Sequence, residues 1–100
     1  MIDLKYYAKV FTNRQLETVL ENLTAYLHNY GYLKIMKEDY GSGFYVYTDE
    51  KRFESGSWTQ FCYNIDYLNG WLYGAVQAVN GIMKPLPEKD LCCTYELMEE

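Results

Sequence analysis

Apolar and polar residues alternate over residues 4–11, with even-numbered positions facing one way and odd-numbered positions the other. This period of two predicts a first strand with one wetter face. A helix over the same residues stays open as an alternative, because apolar residues also recur at helical spacing at Leu4, Tyr7, Ala8 and Phe11.

The next segment has the pattern of an amphipathic helix that begins at Thr12 and ends at Gly31. Thr12 and Gln15 form a capping box, in which each side chain accepts a hydrogen bond from the other residue's backbone amide. Gly31 supplies a left-handed stop. The predicted inner face consists of Leu16, Val19, Leu20, Leu23, Tyr26, Leu27 and Tyr30.

Two strand patterns follow, over residues 32–39 and 44–48. The short Gly-Ser-Gly segment at 41–43 separates them, which predicts an antiparallel hairpin. The charged run 49–52 predicts a solvated turn after the second strand.

A long helix is predicted from Ser57 to Asn80. Ser57 and Gln60 form a second capping box, and Gly81 provides a stop. Gly70 and Gly74 each cost about 1 kcal/mol inside a helix, which predicts that the helix kinks or splits near Asn69 and Gly70. The predicted core stripe is Trp58, Phe61, Cys62, Ile65, Leu68, Leu72, Ala75, Val76 and Val79.

A short last helix is predicted over residues 88–98, after Pro87. The element order is then β-α-β-β-α-α, which predicts one small α+β domain over residues 1–100. Its short antiparallel sheet would be packed by two main helices.

Charge is unevenly distributed along the 100 residues. The net charge is −5, but the acidic C-terminal segment 88–100 alone holds five acidic residues and one basic residue. The remaining chain is nearly neutral, with nine acidic and eight basic residues. A basic patch is the usual footprint of nucleic-acid binding, so direct nucleic-acid binding is not expected.

One side of the predicted 57–80 helix carries no charge, although a surface helix normally shows Lys and Glu there. That side holds Tyr63, Tyr67, Gly70, Trp71, Gly74 and Ala78. Tyr and Trp are favoured interface anchors, and small residues spaced by four permit close backbone approach. This face is predicted to bind a protein or a second copy of the chain, with burial inside the domain as the alternative.

Tyrosine is abundant, with 12 residues in the chain. Tyr45 and Tyr47 alternate with Phe44 and Val46 in the second hairpin strand. Because tyrosine combines a large apolar ring with a polar tip, these two are predicted to form a second contact patch. A wet sheet face with aromatic cross-strand pairs is the alternative.

No set of residues indicates a reaction, a cofactor or a metal. The three cysteines, Cys62, Cys92 and Cys93, do not have the spacing of a disulfide framework or a zinc site. His28 is the single histidine, and it is 64 positions away from Cys92, so no thiol–imidazole pair is indicated. Reduced thiols, the absence of a signal pattern and the lack of a membrane-spanning stretch predict a cytoplasmic protein.

In general character the chain resembles small inhibitor proteins carried by phages and mobile elements, including anti-CRISPR proteins. The shared traits are one short α+β domain, net negative charge, many aromatic residues and no catalytic set. The resemblance implies a non-enzymatic protein that binds and inhibits a nucleic-acid-handling defence complex.

Two other functions are consistent with the sequence. The chain could be a homodimeric regulatory or structural protein joined through the 57–80 helix. It could also be a small-ligand binder or an enzyme with an aromatic pocket near Cys62.

Overall fold

The structure is a computed structural model, and it describes residues 2–80. These residues form an α+β domain with a three-stranded antiparallel sheet, which confirms the predicted fold class. The helices are α1 (Leu4–Val10), α2 (Asn13–Tyr30), α3 (Glu50–Ser55) and α4 (Ile65–Asn80). The strands are β1 (Lys34–Lys37), β2 (Phe44–Tyr47) and β3 (Gln60–Cys62). The predicted helix 88–98 and the acidic segment 88–100 lie outside the described residues.

The strand predicted over residues 4–11 is wrong, since residues 4–10 form helix α1 and Phe11 is its C-cap. The Asp3 carboxylate caps the helix by accepting a hydrogen bond from the Tyr6 amide at 3.3 Å. Tyr7, Val10 and Phe11 are buried together in the core. Their helical spacing therefore outweighs the alternation, because a strand would place Tyr7 and Val10 on opposite faces.

Helix α2 confirms the second prediction. Thr12 Oγ1 accepts from the Gln15 amide at 3.2 Å, and Gln15 Oε1 accepts from the Thr12 amide at 3.1 Å. Gly31 ends the helix in the left-handed conformation, at φ 83°. The residues of α2 that become fully buried are Val19, Leu23 and Tyr26.

The predicted hairpin is also confirmed, and the sheet order is β1-β2-β3. Ile35 lies opposite Val46, and Tyr45 lies opposite Phe61 on the third strand. The Glu38 carboxylate closes the hairpin loop by accepting a hydrogen bond from the Gly43 amide at 3.0 Å.

The predicted helix 57–80 is wrong over its first third. Residues 60–62 form β3, and α4 begins only at Ile65. Asn64 caps α4 by accepting from the Tyr67 amide at 2.8 Å. Gln60 pairs with β2 instead of completing a capping box with Ser57. Helix α4 then continues from Ile65 to Asn80, so it does not split at Gly70.

The solvated turn predicted at residues 49–52 is wrong, since helix α3 begins at Glu50. The Asp49 carboxylate accepts a hydrogen bond from the Arg52 amide at 2.8 Å, and Gly56 ends the helix at φ 75°. This one-and-a-half-turn helix buries no residue fully, although Phe53 is half-buried against Tyr47.

The core lies between one face of the sheet and the helix pair α2 and α4. The two helices run in the same direction, because contacts advance along both together: Asn22 to Asn69, Tyr26 to Trp71, and Tyr30 to Ala75. The sheet contributes Ile35, Phe44, Val46 and Cys62 to this core. None of the helices within residues 2–80 is long and apolar enough to cross a membrane.

Candidate functional site

The two faces of the sheet have different environments. Ile35, Val46 and Cys62 on the inner face are completely buried. Side chains alternate between faces along a strand, so the neighbouring positions face outward. The cross-strand register places Met36, Tyr45 and Phe61 side by side on the outer face.

Trp58 and Tyr63, at the two ends of β3, extend this row. We call the four rings of Tyr45, Trp58, Phe61 and Tyr63 the outer aromatic face. The ring centroids of Tyr45 and Phe61 lie 5.1 Å apart, and those of Phe61 and Tyr63 lie 5.2 Å apart. Trp58 lies 6.0 Å from Tyr45 and 6.3 Å from Phe61. The four rings therefore form one connected cluster.

The cluster is open to solvent within the described part of the chain. Trp58 is 48% exposed and Tyr63 44%, and the adjacent Met36 is 41% exposed. Tyr45 and Phe61 are half-buried by their neighbours. Clustered apolar exposure of this kind marks interaction sites more often than isolated exposed side chains do.

The polar tips of this cluster are unused among the hydrogen bonds of residues 2–80. None of these bonds involves the hydroxyls of Tyr45 and Tyr63 or the indole N–H of Trp58. In contrast, the hydroxyls of Tyr6, Tyr7 and Tyr30 all donate to backbone carbonyls. Each outer ring except Phe61 thus offers both apolar area and a free donor to a partner.

Glycine in the hairpin loop permits this packing. A Cβ at Gly43 would overlap the Phe61 ring and lie 2.8 Å from Glu38 Oε1. The loop backbone can therefore approach Phe61 only because Gly43 lacks a side chain.

The structure divides the predicted site residues into three groups. Tyr45 and Tyr63 lie together on the outer aromatic face. Tyr47 is only 8% exposed because Phe53 of α3 packs edge-on against it, with centroids 5.3 Å apart. The expectation that Tyr47 belongs to an open patch is therefore wrong.

The remaining predicted residues belong to α4. Tyr67 is 5% exposed and packs against Tyr63, with ring centroids 5.6 Å apart. Trp71 is half-buried and stacks on Tyr26 at 5.5 Å. Because α4 packs against both β3 and α2, its covered side is wider than one stripe and includes both rings. Tyr67 and Trp71 therefore do not form an exposed face with Tyr63.

Gly70 is exposed, and Gly74 is half-buried. A Cβ built on Gly74 meets no atom within 4 Å among the described residues. No backbone within residues 2–80 uses the close approach that this glycine would permit.

Trp58 and Phe61 of the outer aromatic face were predicted to lie on the core stripe of a long helix, so they were not among the predicted contact residues. Two signals favoured the observed structure. Residues 58–63 are rich in aromatic and β-branched side chains, which favour a strand. Asn64 followed by Asp66 is typical of a helix N-terminus, and it marks the true start of α4.

Cys62 lies on the opposite side of the sheet from the outer aromatic face. Its side chain is completely buried, and burial raises the pKa of the Cys62 thiol to about 12. A thiolate is the reactive form of cysteine, so this thiol is unreactive at neutral pH. Within residues 2–80, no group of three His, Cys, Asp or Glu side chains is arranged to hold a metal ion.

Two shallow depressions lie along α2 instead. They share Leu20, Thr24 and His28, and neither is lined by a Phe, Tyr or Trp ring. The aromatic pocket near Cys62 that a ligand-binding function requires does not correspond to either depression.

Comparisons with known proteins give no assignment: no family model matches the chain, and no curated protein or solved structure shows significant similarity to it.

Proposed function

We propose that this chain is a non-enzymatic protein-binding module whose contact surface is the outer aromatic face. The observation that carries the proposal is the connected cluster of Tyr45, Trp58, Phe61 and Tyr63, with Trp58 and Tyr63 about half exposed. Burying apolar area against a partner is favourable by about 25 cal/mol per Å² before the costs of association. Trp and Tyr are the side chains that most often dominate binding energy.

Base stacking on the same rings is the competing use of an aromatic sheet face. Such a surface needs cations along the nucleic-acid backbone. Of the two lysines of β1, Lys34 places its Nζ 4.1 Å from the centre of the Tyr6 ring, and Lys37 donates to the Gly41 carbonyl. With a net charge of −5 for the chain, this supports a protein partner over a nucleic acid.

The resemblance to anti-CRISPR inhibitors extends the proposal to the class of partner. A partner of that class is a protein of a bacterial nucleic-acid-handling defence complex. Inhibition would then follow from occupying a surface of that complex, without any reaction on this chain.

The proposal is tested by exchanging exposed rings. Trp58→Ala and Tyr63→Ala remove two rings that are about half exposed, so both variants are expected to stay folded. Tyr73→Ala is the matched control, because Tyr73 is 55% exposed on α4. Proteins retained from a bacterial lysate by the wild type are identified, purified and titrated against all three variants by calorimetry.

We expect the dissociation constant to rise at least tenfold for Trp58→Ala and for Tyr63→Ala, and to stay within twofold for Tyr73→Ala. Equal binding by all variants would reject the outer aromatic face as the contact surface. Fluorescence anisotropy with a labelled single-stranded oligonucleotide is run in parallel. Oligonucleotide binding that depends on Trp58 would replace the protein-partner proposal with the base-stacking one.

A further inference from the structure

Within residues 2–80, strand β1 forms one edge of the sheet, and its backbone has one side directed away from β2. The Glu38 amide donates to the Gly43 carbonyl at 3.0 Å, so the backbone of Glu38 faces the neighbouring strand. Along an antiparallel strand, residues whose backbone groups face the partner strand alternate with residues whose backbone groups face away from it. The backbone groups of residues 33, 35 and 37 therefore point toward the open edge.

Two adjacent tyrosines of α1 occupy the outward carbonyls. The Tyr6 hydroxyl donates to the Ile35 carbonyl at 2.9 Å, and the Tyr7 hydroxyl donates to the Leu33 carbonyl at 2.5 Å. The Tyr6 hydroxyl also lies 3.2 Å from the Met36 sulfur. Tyr6 and Tyr7 thus occupy the two backbone carbonyls to which an additional strand would have to donate its amide hydrogen bonds.

Packing holds these hydroxyls in place. Tyr7 is 3% exposed, and its ring meets that of Tyr6 edge-on at 5.1 Å. The Lys34 ammonium group lies 4.1 Å from the centre of the Tyr6 ring, which adds a cation–π contact between α1 and β1. Helix α1 therefore covers the β1 edge as well as bonding to it.

At the opposite edge of the sheet, strand β3 also has an outward carbonyl that is bonded to a side chain. Alternation directs the backbone of Phe61 outward from β3. The Gln60 side-chain amide donates to the Phe61 carbonyl at 2.8 Å. Each edge of this sheet thus has at least one outward carbonyl bonded to a side chain. On β1 a helix also covers the edge, which is a known way to prevent edge-to-edge association.

We infer that α1 guards the β1 edge, and that displacing α1 allows β1 to pair with the β1 edge of a second copy of this chain. A second copy suits the edge because antiparallel pairing centred on Ile35 places Lys34 opposite Met36. Leu33 then lies opposite Lys37, so no like charges face each other across the new pair. This inference concerns self-association and does not depend on the outer aromatic face.

The test removes the two hydroxyls and keeps the rings. Tyr6→Phe with Tyr7→Phe deletes both bonds to the β1 edge, and the open population is expected to rise tens of fold. Tyr30→Phe is the matched control, because it deletes a similar bond to the Ala75 carbonyl, far from this edge. Sedimentation velocity over a range of concentrations measures self-association of each full-length variant.

We expect a concentration-dependent dimer in the double variant, at least tenfold tighter than any self-association of the wild type or of Tyr30→Phe. Adding Lys37→Pro removes an outward amide without breaking a β1–β2 hydrogen bond, and it is expected to abolish that dimer. A folded double variant that associates no more than the wild type would overturn the inference. A dimer that persists with Lys37→Pro would also overturn it.

The single variant Tyr6→Phe covers the case in which the double variant unfolds. Tyr6 is only half-buried, so its replacement leaves the Tyr7 core contacts intact. Hydrogen exchange then reports on opening of α1 at the Tyr7 and Phe11 amides, which donate to the Asp3 and Tyr7 carbonyls. Faster exchange at these amides in Tyr6→Phe than in Tyr30→Phe supports the inference that α1 protects the β1 edge. Unchanged exchange in Tyr6→Phe contradicts it.

Discussion

Individual residues determine how close the hairpin loop comes to the outer aromatic face. Gly43 lies against Phe61, and a Cβ there would overlap the ring and approach Glu38. Gly74 is the opposite case, since a Cβ at this helical position meets nothing within 4 Å among the described residues. The two glycines therefore predict changes of opposite sign.

Gly43→Ala is expected to lower the free energy of unfolding by about 1–3 kcal/mol, because the ring or the loop must move. Gly74→Ala is expected to raise it by up to about 1 kcal/mol, because alanine favours the helix. Urea unfolding followed by circular dichroism measures both. Stabilisation by Gly43→Ala would contradict the close packing of Phe61.

The same Gly74 variant bears on self-association through α4. If a second copy used this glycine for close approach, alanine would weaken the dimer and lower the stability. Unchanged sedimentation of Gly74→Ala, together with its higher stability, would argue against a homodimer joined at this position.

At this scale the sequence was a partial guide to the site. Tyr45 follows from strand alternation alone, because its neighbours Phe44 and Val46 belong in the core. Tyr67 and Trp71 could not be placed in this way. Their burial depends on α4 contacting β3 and α2 at the same time. The spacing of apolar residues along the chain does not reveal such a double contact.

Secondary-structure elements with strong end signals were predictable. Thr12, Gln15 and Gly31 define α2, and both capping hydrogen bonds are present. Elements without such end signals could not be predicted from the sequence. Helix α1 has only seven residues, and strand β3 has three, so a few positions fit either period. Tertiary packing of Tyr7, Val10 and Phe11 decided the first case.

Thr12→Ala is expected to lower the free energy of unfolding by about 1 kcal/mol, because the Gln15 amide loses its acceptor. Thr12→Ser keeps a hydroxyl at the same place, so its loss of unfolding free energy is expected to be only a small fraction of the loss in Thr12→Ala. Thermal unfolding by calorimetry compares the two. Equal losses in both variants would show that the methyl group of Thr12, and not its capping oxygen, supplies the stability.

The whole molecule buries several tyrosines in and around one small core. Burial raises the pKa of Tyr6 and of Tyr26 to about 12, and it raises the pKa of Tyr7 further. The unfolded chain releases these protons near pH 10, so the folded state binds more protons between pH 10 and about 12. By linkage, the free energy of unfolding falls as the pH rises through this range.

Thermal unfolding midpoints measured across this pH range test the linkage. We expect a steady fall from pH 10 to about 12, and a shallower fall in Tyr26→Phe, which lacks one of the buried hydroxyls. The control is the same comparison of wild type and Tyr26→Phe at neutral pH. The tyrosine hydroxyls are not ionised there, so linkage adds no difference between the two midpoints. Identical alkaline profiles of the two proteins would contradict the assignment to Tyr26.

The alternation in β2 has a practical consequence for protein engineering. The buried residues Phe44 and Val46 hold the domain together, whereas Tyr45 between them faces outward. Substituting Tyr45, Trp58 and Tyr63 in combination therefore changes the chemistry of the exposed surface while leaving the inner packing in place. A combinatorial library restricted to these three codons should retain a folded domain in most members, so new specificities can be selected without redesigning the interior.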